Sequence, residues 1–290
     1  MRLVQIALSL SFVASILCHS ARAAEANSTN AALKRVADAY LTKKPAPALS
    51  TGVTYQAALE LQKEYVSLIQ KQLGERAGYK VGIVTKAGQE RLGIDHPIRG
   101  VLFKKMLLTN NVQVATNYGT RPILEPDLLV RVKDEKINDA RTPQEIMQHL
   151  SEVICFIELA DGTFATNAPV DASVLTASNV GARAGVLGQS RKVDAQKSFY
   201  DAWSQMSLVL KDGAGKELSR TKADGVMGHP VHAVLWLVQD LKKAGEKLKA
   251  GDVISLGSPS PQVMPKKGDK YVLTYEGLPG GPLTATVSFK

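Results

Sequence analysis

The residues of this chain best placed to do chemistry sit in and beside short apolar runs. In Pro122-Ile-Leu-Glu-Pro-Asp-Leu-Leu-Val130, acids stand at 125 and 127. On a strand, side chains repeat every two residues, so Glu125 and Asp127 share one face and Leu124, Leu128 and Val130 turn to a core. Two carboxylates at that spacing can converge on one hard cation, Mg²⁺ or Mn²⁺. The plainer outcome is a solvated sheet face, although like charges on one face repel without a partner. A second run, Val153-Ile-Cys-Phe-Ile157, leads directly into Glu158. A strand that apolar is buried on both faces, and a carboxylate at its end needs an ionic or hydrogen-bonded partner. A cation shared with Glu125 and Asp127 provides one, and a salt bridge to a lysine or arginine provides another. Residue types alone leave both open. Lys80 lies between Tyr79 and Val81 in a third run, Gly78 to Val84. Out of water and near carboxylates, a lysine can exchange a proton near neutral pH; on an edge strand it faces solvent.

These side chains need a sheet to hold them, and the periodicity supplies one. Strands are predicted over 78–84, 124–132 and 153–160, with a strand through Met206, Leu208 and Leu210 turning at Asp212-Gly213 toward 217–221. A C-terminal hairpin alternates through Tyr271, Leu273, Tyr275 and then Leu283, Ala285, Val287, Phe289. Helices are predicted where Leu33, Val36, Ala37, Tyr40 and Leu41 repeat, from Thr54 as cap to Gly74, after Thr142-Pro-Gln-Glu145, and from Pro230 to about Leu241. The pattern is α+β, with helices early and a mixed or antiparallel sheet later. Residues 51–290 show no clean linker and read as one domain, preceded by a helical extension over 24–50.

Length and composition exclude several classes. The 290 residues are 44% apolar and 22% charged, ordinary for a packed globular chain. Met1-Arg2, the apolar stretch Leu3–Leu17 and Ala21-Arg-Ala23 have the form of a secretory signal peptide over 1–23, too short to span a membrane. The expected compartment is a periplasm. Cleavage would leave Cys155 as the remaining cysteine, so no intramolecular disulfide is possible, and its apolar surroundings suit a buried thiol. The formal net charge of +9 is spread along the chain and gives no nucleic-acid stripe. Nor does any H-E-x-x-H, Walker loop, G-x-S-x-G or C-x-x-C motif occur. His229, before Pro230, reads as a helix-entry residue.

Several segments run in order along the chain: Gly78-Tyr-Lys-Val-Gly-Ile-Val-Thr-Lys86, Leu92-Gly-Ile-Asp-His-Pro97, Gly100-Val-Leu-Phe103, Glu125-Pro-Asp127, Glu158 with Asp161, Gly228-His-Pro230, Ala250-Gly-Asp252, Gly257-Ser258 and Gly268-Asp269. Taken together they resemble the 2-keto-4-pentenoate hydratase and 4-oxalocrotonate decarboxylase branch of the fumarylacetoacetate hydrolase superfamily. The resemblance implies a mixed β-roll and one Mg²⁺ or Mn²⁺ on Glu125, Asp127 and Glu158. It further implies a small 2-oxo carboxylic acid as substrate, a metal-stabilised enolate, Lys80 orienting or protonating it, and usually a homo-oligomer.

The departures from the family pattern bear on activity. Ile98-Arg99 follows Pro97 where hydratases carry an acid, the hydroxyl-rich run near Asn179 has become Val180-Gly-Ala182 followed by Arg183, and Ser260 stands near the usual Thr. Asn179, Ser260, Arg99 and Arg183 are therefore the expected substrate-binding residues, with the arginines suited to a second carboxylate. A lyase is the reading the carboxylates and Lys80 favour. A non-catalytic small-acid-binding protein that kept the fold is the reading the altered positions favour.

Overall fold

The structure is a computed structural model and describes residues 30–290. The expected signal peptide and residues 24–29 lie outside the described residues. Helix α1 covers 30–42 and buries Leu33, Val36, Ala37 and Tyr40 in the main core. Helix α2 (Tyr55–Leu73) starts where the Thr54 hydroxyl accepts the Ala57 N–H and stops at Gly74. Strand β1 (Arg76–Gly82), helix α3 (Lys86–Leu92), β2 (Ile98–Phe103), β3 (Leu107–Thr109) and β4 (Val112–Val114) follow. Next come β5 (Pro122–Val132), α4 (Pro143–Gln148), β6 (Leu150–Asp161) and α5 (Ala172–Ala177). Thr142 caps α4 as expected, while Glu145 reaches back to the Arg141 N–H, one residue earlier than a capping box would place it. The chain continues through β7 (Ala184–Lys192), α6 (Lys197–Gln205), β8 (Ser207–Asp212), β9 (Glu217–Lys222), α7 (Pro230–Lys243), β10 (Val253–Ser255), β11 (Lys270–Glu276) and β12 (Leu283–Phe289).

Two mixed sheets carry the molecule. One has seven strands in the order β2-β1-β10-β5-β6-β7-β3, the other five in the order β4-β12-β11-β8-β9. β1–β10, β3–β7 and β4–β12 are parallel and the remaining pairs antiparallel. The smaller sheet packs through β12 and β11 on β6 and β7. Its alternating Tyr271, Leu273, Tyr275, Leu283, Ala285, Val287 and Phe289 are the buried face. After the two N-terminal helices, strands and helices interleave along the chain, and the early strands β1 and β2 belong to the larger sheet. Among the described residues no helix is long and apolar enough to cross a membrane.

The long antiparallel pair β5–β6 fixes the register that matters: Glu125 stands opposite Glu158 and Asp127 opposite Phe156. The three-residue strand β10 sits between β1 and β5, setting Lys80 beside Ser255. Gly78 makes this parallel pairing possible: at φ 151°, a Cβ there would lie 1.8 Å from the Val253 carbonyl oxygen.

Candidate functional site

Strand alternation turns Lys80, Glu125 and Glu158 into one cavity of about 700 Å³. Lys80 is buried, and its ammonium donates to Glu158 Oε1 and, at 3.1 Å, to the Val180 carbonyl. Glu125 is half-buried and accepts from the Gln262 amide at 2.6 Å. Asp127 is fully buried just beyond this row, accepting the Ser255 hydroxyl at 2.6 Å and the Leu128 N–H at 2.5 Å. Tyr275, reaching across from the smaller sheet, donates to the Asp127 carbonyl and receives the Phe156 N–H at 3.1 Å, which locks the strand pair at this row.

Three acids meet one base here, and the titrations follow. Burial, with the Glu158 charge adding to it, pushes the Glu125 carboxyl up to about 7. The same two causes push Asp127 well above the usual carboxylate range against the Ser255 hydrogen bond. Burial alone would lower Lys80, but the Glu158, Glu125 and Asp127 charges outweigh it and raise the lysine. Lys80 therefore holds its proton at neutral pH, which makes it a donor and not a resting base.

The backbone at the cavity wall is strained. Ile83 and Val180 line the cavity with φ of 59° and 55°, a left-handed conformation that β-branched residues avoid. Such positions cost about 1–3 kcal/mol each and persist where surrounding structure holds them. Val180 is held because Asn179 clamps the chain onto β2 and because Gly82 leaves room; a Cβ at 82 would lie 2.6 Å from Val180 Cγ1. In return the Val180 carbonyl faces Lys80.

Of the residues expected from sequence to bind substrate, Ser260 lines the cavity, hydrogen-bonded to the Thr221 hydroxyl. The other three stand outside its lining. Asn179 gives both ends of its amide to Val101, accepting its N–H at 2.6 Å and donating to its carbonyl at 2.9 Å, so it pins the wall and does not face the cavity. Arg99 pairs in register with Val81, which puts it on the face of the sheet opposite Lys80. There it is buried on Asp240 at 2.7 Å and Glu246 at 2.9 Å. Arg183 stacks on Tyr40 at 3.9 Å, donates to the Tyr40 carbonyl and stands 3.3 Å from Asp161. Cys155 is a buried free thiol and His229 caps α7 through the Val231 N–H, as expected. Sequence reasoning missed Ser255 and Tyr275. The polar residue inside Val253-Ile-Ser-Leu256 was the available signal for the first.

No family model matches the chain. Curated relatives do. Over 208 residues, 72% of this chain and 75% of the relative, it is 26% identical to the TodF product hydratase of Pseudomonas putida. It is 28% identical over 210 residues to the 2-hydroxyhexa-2,4-dienoate hydratase of Comamonas testosteroni, covering 71% and 76%. The structure of 4-oxalocrotonate decarboxylase from Pseudomonas putida G7, complexed with magnesium and adipate, superimposes with a TM-score of 0.78 over 91% of this chain and 98% of that one, at 19% identity. These matches are to the hydratase–decarboxylase branch of the fumarylacetoacetate hydrolase superfamily, the branch that the sequence motifs resemble. A fumarylpyruvate hydrolase from Pseudomonas aeruginosa, in complex with Mn²⁺ and pyruvate, shares the superfamily fold more distantly, with a TM-score of 0.53 at 14% identity over 74% of this chain and 90% of that one.

Three of the solved structures with a similar fold are complexes with calcium, magnesium or Mn²⁺, and the donor set here suits a divalent cation. Three carboxylates crowd a low-dielectric site with one lysine to balance them, and burial together with the Glu158 charge raises two of them. Hard oxygen donors of that kind match Mg²⁺ or Mn²⁺. As placed, Glu125, Asp127 and Glu158 are turned onto Gln262, Ser255 and Lys80, and among the described residues no three such side chains stand gathered as a finished ligand cluster.

Proposed function

We propose that this protein is an exported lyase, dependent on a divalent cation, that acts on a small 2-oxo acid as a hydratase, decarboxylase or related C–C lyase. The observation that carries the reading is a protonated lysine buried against Glu158 in a cavity that Glu125 also lines, with Asp127 immediately behind. Glu125, Asp127 and Glu158 would hold the cation, whose chemistry is Lewis-acid polarisation of the substrate's carboxylate and 2-oxo oxygens. The chain supplies the rest. Glu158 and the Val180 carbonyl aim the Lys80 ammonium, which holds a proton at Nζ for the substrate carbon or oxygen that gains charge. Ser255 and Tyr275 fix Asp127 from side chain and backbone. Ile83, Val84, Ile123 and Leu175 give the cavity an apolar wall that limits water.

One observation favours the non-catalytic alternative. Arg99, beside the position where hydratases carry an acid, is locked into ion pairs on the far face, so that segment supplies no second proton carrier to the cavity. Turnover separates the two readings. With Mg²⁺ or Mn²⁺ present, a panel of 2-oxo acids should include one whose ultraviolet enol absorbance changes catalytically, and Lys80→Met should lower kcat by about 10²-fold or more. Saturable binding without turnover across the panel would replace the lyase with a binding protein. Export is read from the protein's own terminus: intact mass of the mature chain should begin at Ala24.

A further inference from the structure

One face of β5 and β6 is laid out in rows. Glu125 stands opposite Glu158, and two residues back Ile123 stands opposite Ala160. One further step of two sets Arg121 against Gly162, whose N–H donates to the Arg121 carbonyl at 2.9 Å. All six residues line the cavity. The strand rise puts about 13 Å between the Cα atoms of Glu125 and Arg121, with the apolar row midway. The third row is shaped for a guanidinium. A Cβ on Gly162 would come within 2.4 Å of Arg121 Nε and 2.6 Å of its Nη2, so the missing side chain is what lets the arginine lie across β6. Arg91, from the last turn of α3, lines the same cavity. Arg76, Arg99, Arg131, Arg183 and Arg220 each have an acidic partner within 4.0 Å; Arg91 and Arg121 have none among the described residues.

We propose that Arg91 and Arg121 form a distal anion subsite, so that the preferred substrate is a 2-oxo acid carrying a second carboxylate, with its chain over Ile123 and Ala160. This rests on the 2-oxo acid reading of the acidic row. It moves the second anion from Arg99 and Arg183, which are engaged inside the fold, to two arginines that open into the cavity. Arginine suits the task because its planar fork matches a carboxylate. An exposed pair of this kind acts through a field that salt screens.

The test is calorimetric binding to the Mg²⁺-loaded protein of four matched acids: 2-oxoadipate, 2-oxohexanoate, adipate and hexanoate. 2-Oxoadipate should bind about tenfold tighter than 2-oxohexanoate, and adipate similarly tighter than hexanoate. The preference should shrink between about 50 and 500 mM salt. Arg121→Ala and the Arg91→Ala, Arg121→Ala double variant should collapse the ratio toward one, while Arg121→Lys keeps part of it. Gly162→Ala, which leaves every charge in place but displaces the guanidinium, should lower the ratio as well. Equal affinity for mono- and dicarboxylates in the wild type, or a ratio that survives the double variant in a folded protein, overturns the subsite. So does the absence of binding by all four acids. The head-group reading fails separately, when 2-oxohexanoate and hexanoate bind alike while adipate still outbinds hexanoate.

Discussion

Lys80 is the single basic group among Glu125, Glu158 and the Asp127 behind them, and its surroundings dictate its behaviour. Removing it would leave Glu158 buried opposite Glu125 with no countercharge. Lys80→Met should therefore destabilise the metal-free protein by about 3–5 kcal/mol, read by urea unfolding, with Mg²⁺ restoring part of the loss. Glu125 gives a complementary test. Its carboxyl is raised to about 7 by burial and by Glu158, above its unfolded value, so the folded state keeps a proton that the unfolded state releases. The stability this contributes is fully present below the unfolded value and lost as pH rises through about 7. Without metal, stability should fall from pH 5 to pH 8, whereas the rise in Tm produced by Mg²⁺ should grow over the same range, because the cation takes the deprotonated carboxylate. A Mg²⁺ response independent of pH would remove Glu125 from the cation site. The acids and Lys80 were legible in sequence because a charge inside an apolar strand is anomalous. Arg99 and Arg183 stand away from the cavity lining because nearness in sequence does not set which face a side chain takes: register with Val81 turns Arg99 to the far face, and Tyr40 with Asp161 holds Arg183.

At the level of elements, caps and alternation were legible wherever a helix or hairpin is made from neighbouring residues. Thr54, Gly74, Thr142 and Pro230 mark the ends they should, and the C-terminal hairpin falls where its apolar alternation puts it. β3, β4 and β10, three residues each, carry no periodicity, so only long-range pairing identifies them. Nor could the parallel pairing of β1 with β10 be seen, since its partners lie at opposite ends of the sequence. Glycine marks it all the same. Gly78→Ala would drive a methyl into the Val253 backbone and should cost about 3 kcal/mol or more, seen in denaturant melts as a lower midpoint. Because the same pairing holds Lys80 beside Ser255, the variant should also weaken Mg²⁺-induced stabilisation. An alanine tolerated without loss would show that β1 and β10 are not held at this register.

At the scale of the whole molecule, the fold class and the superfamily branch were legible because motifs in order survive where overall identity is about a quarter. The layering was not, since interleaved strands are sorted into two sheets by tertiary pairing and not by any property of one segment. β10 sits between the strands that carry Lys80 and the acids, yet it is made from residues 253–255 of a 290-residue chain. A ribosome delivering this chain from its N-terminus has released β1, β5 and β6 well before the strand that joins them exists. The chain must keep a gap in its larger sheet until almost all of it has emerged, and its chemistry can assemble only after synthesis is nearly over. Closing a loop of that length late favours slow folding. Were the chain exported as proposed, a fold whose middle arrives last would act as a built-in delay while the polypeptide is threaded across the membrane.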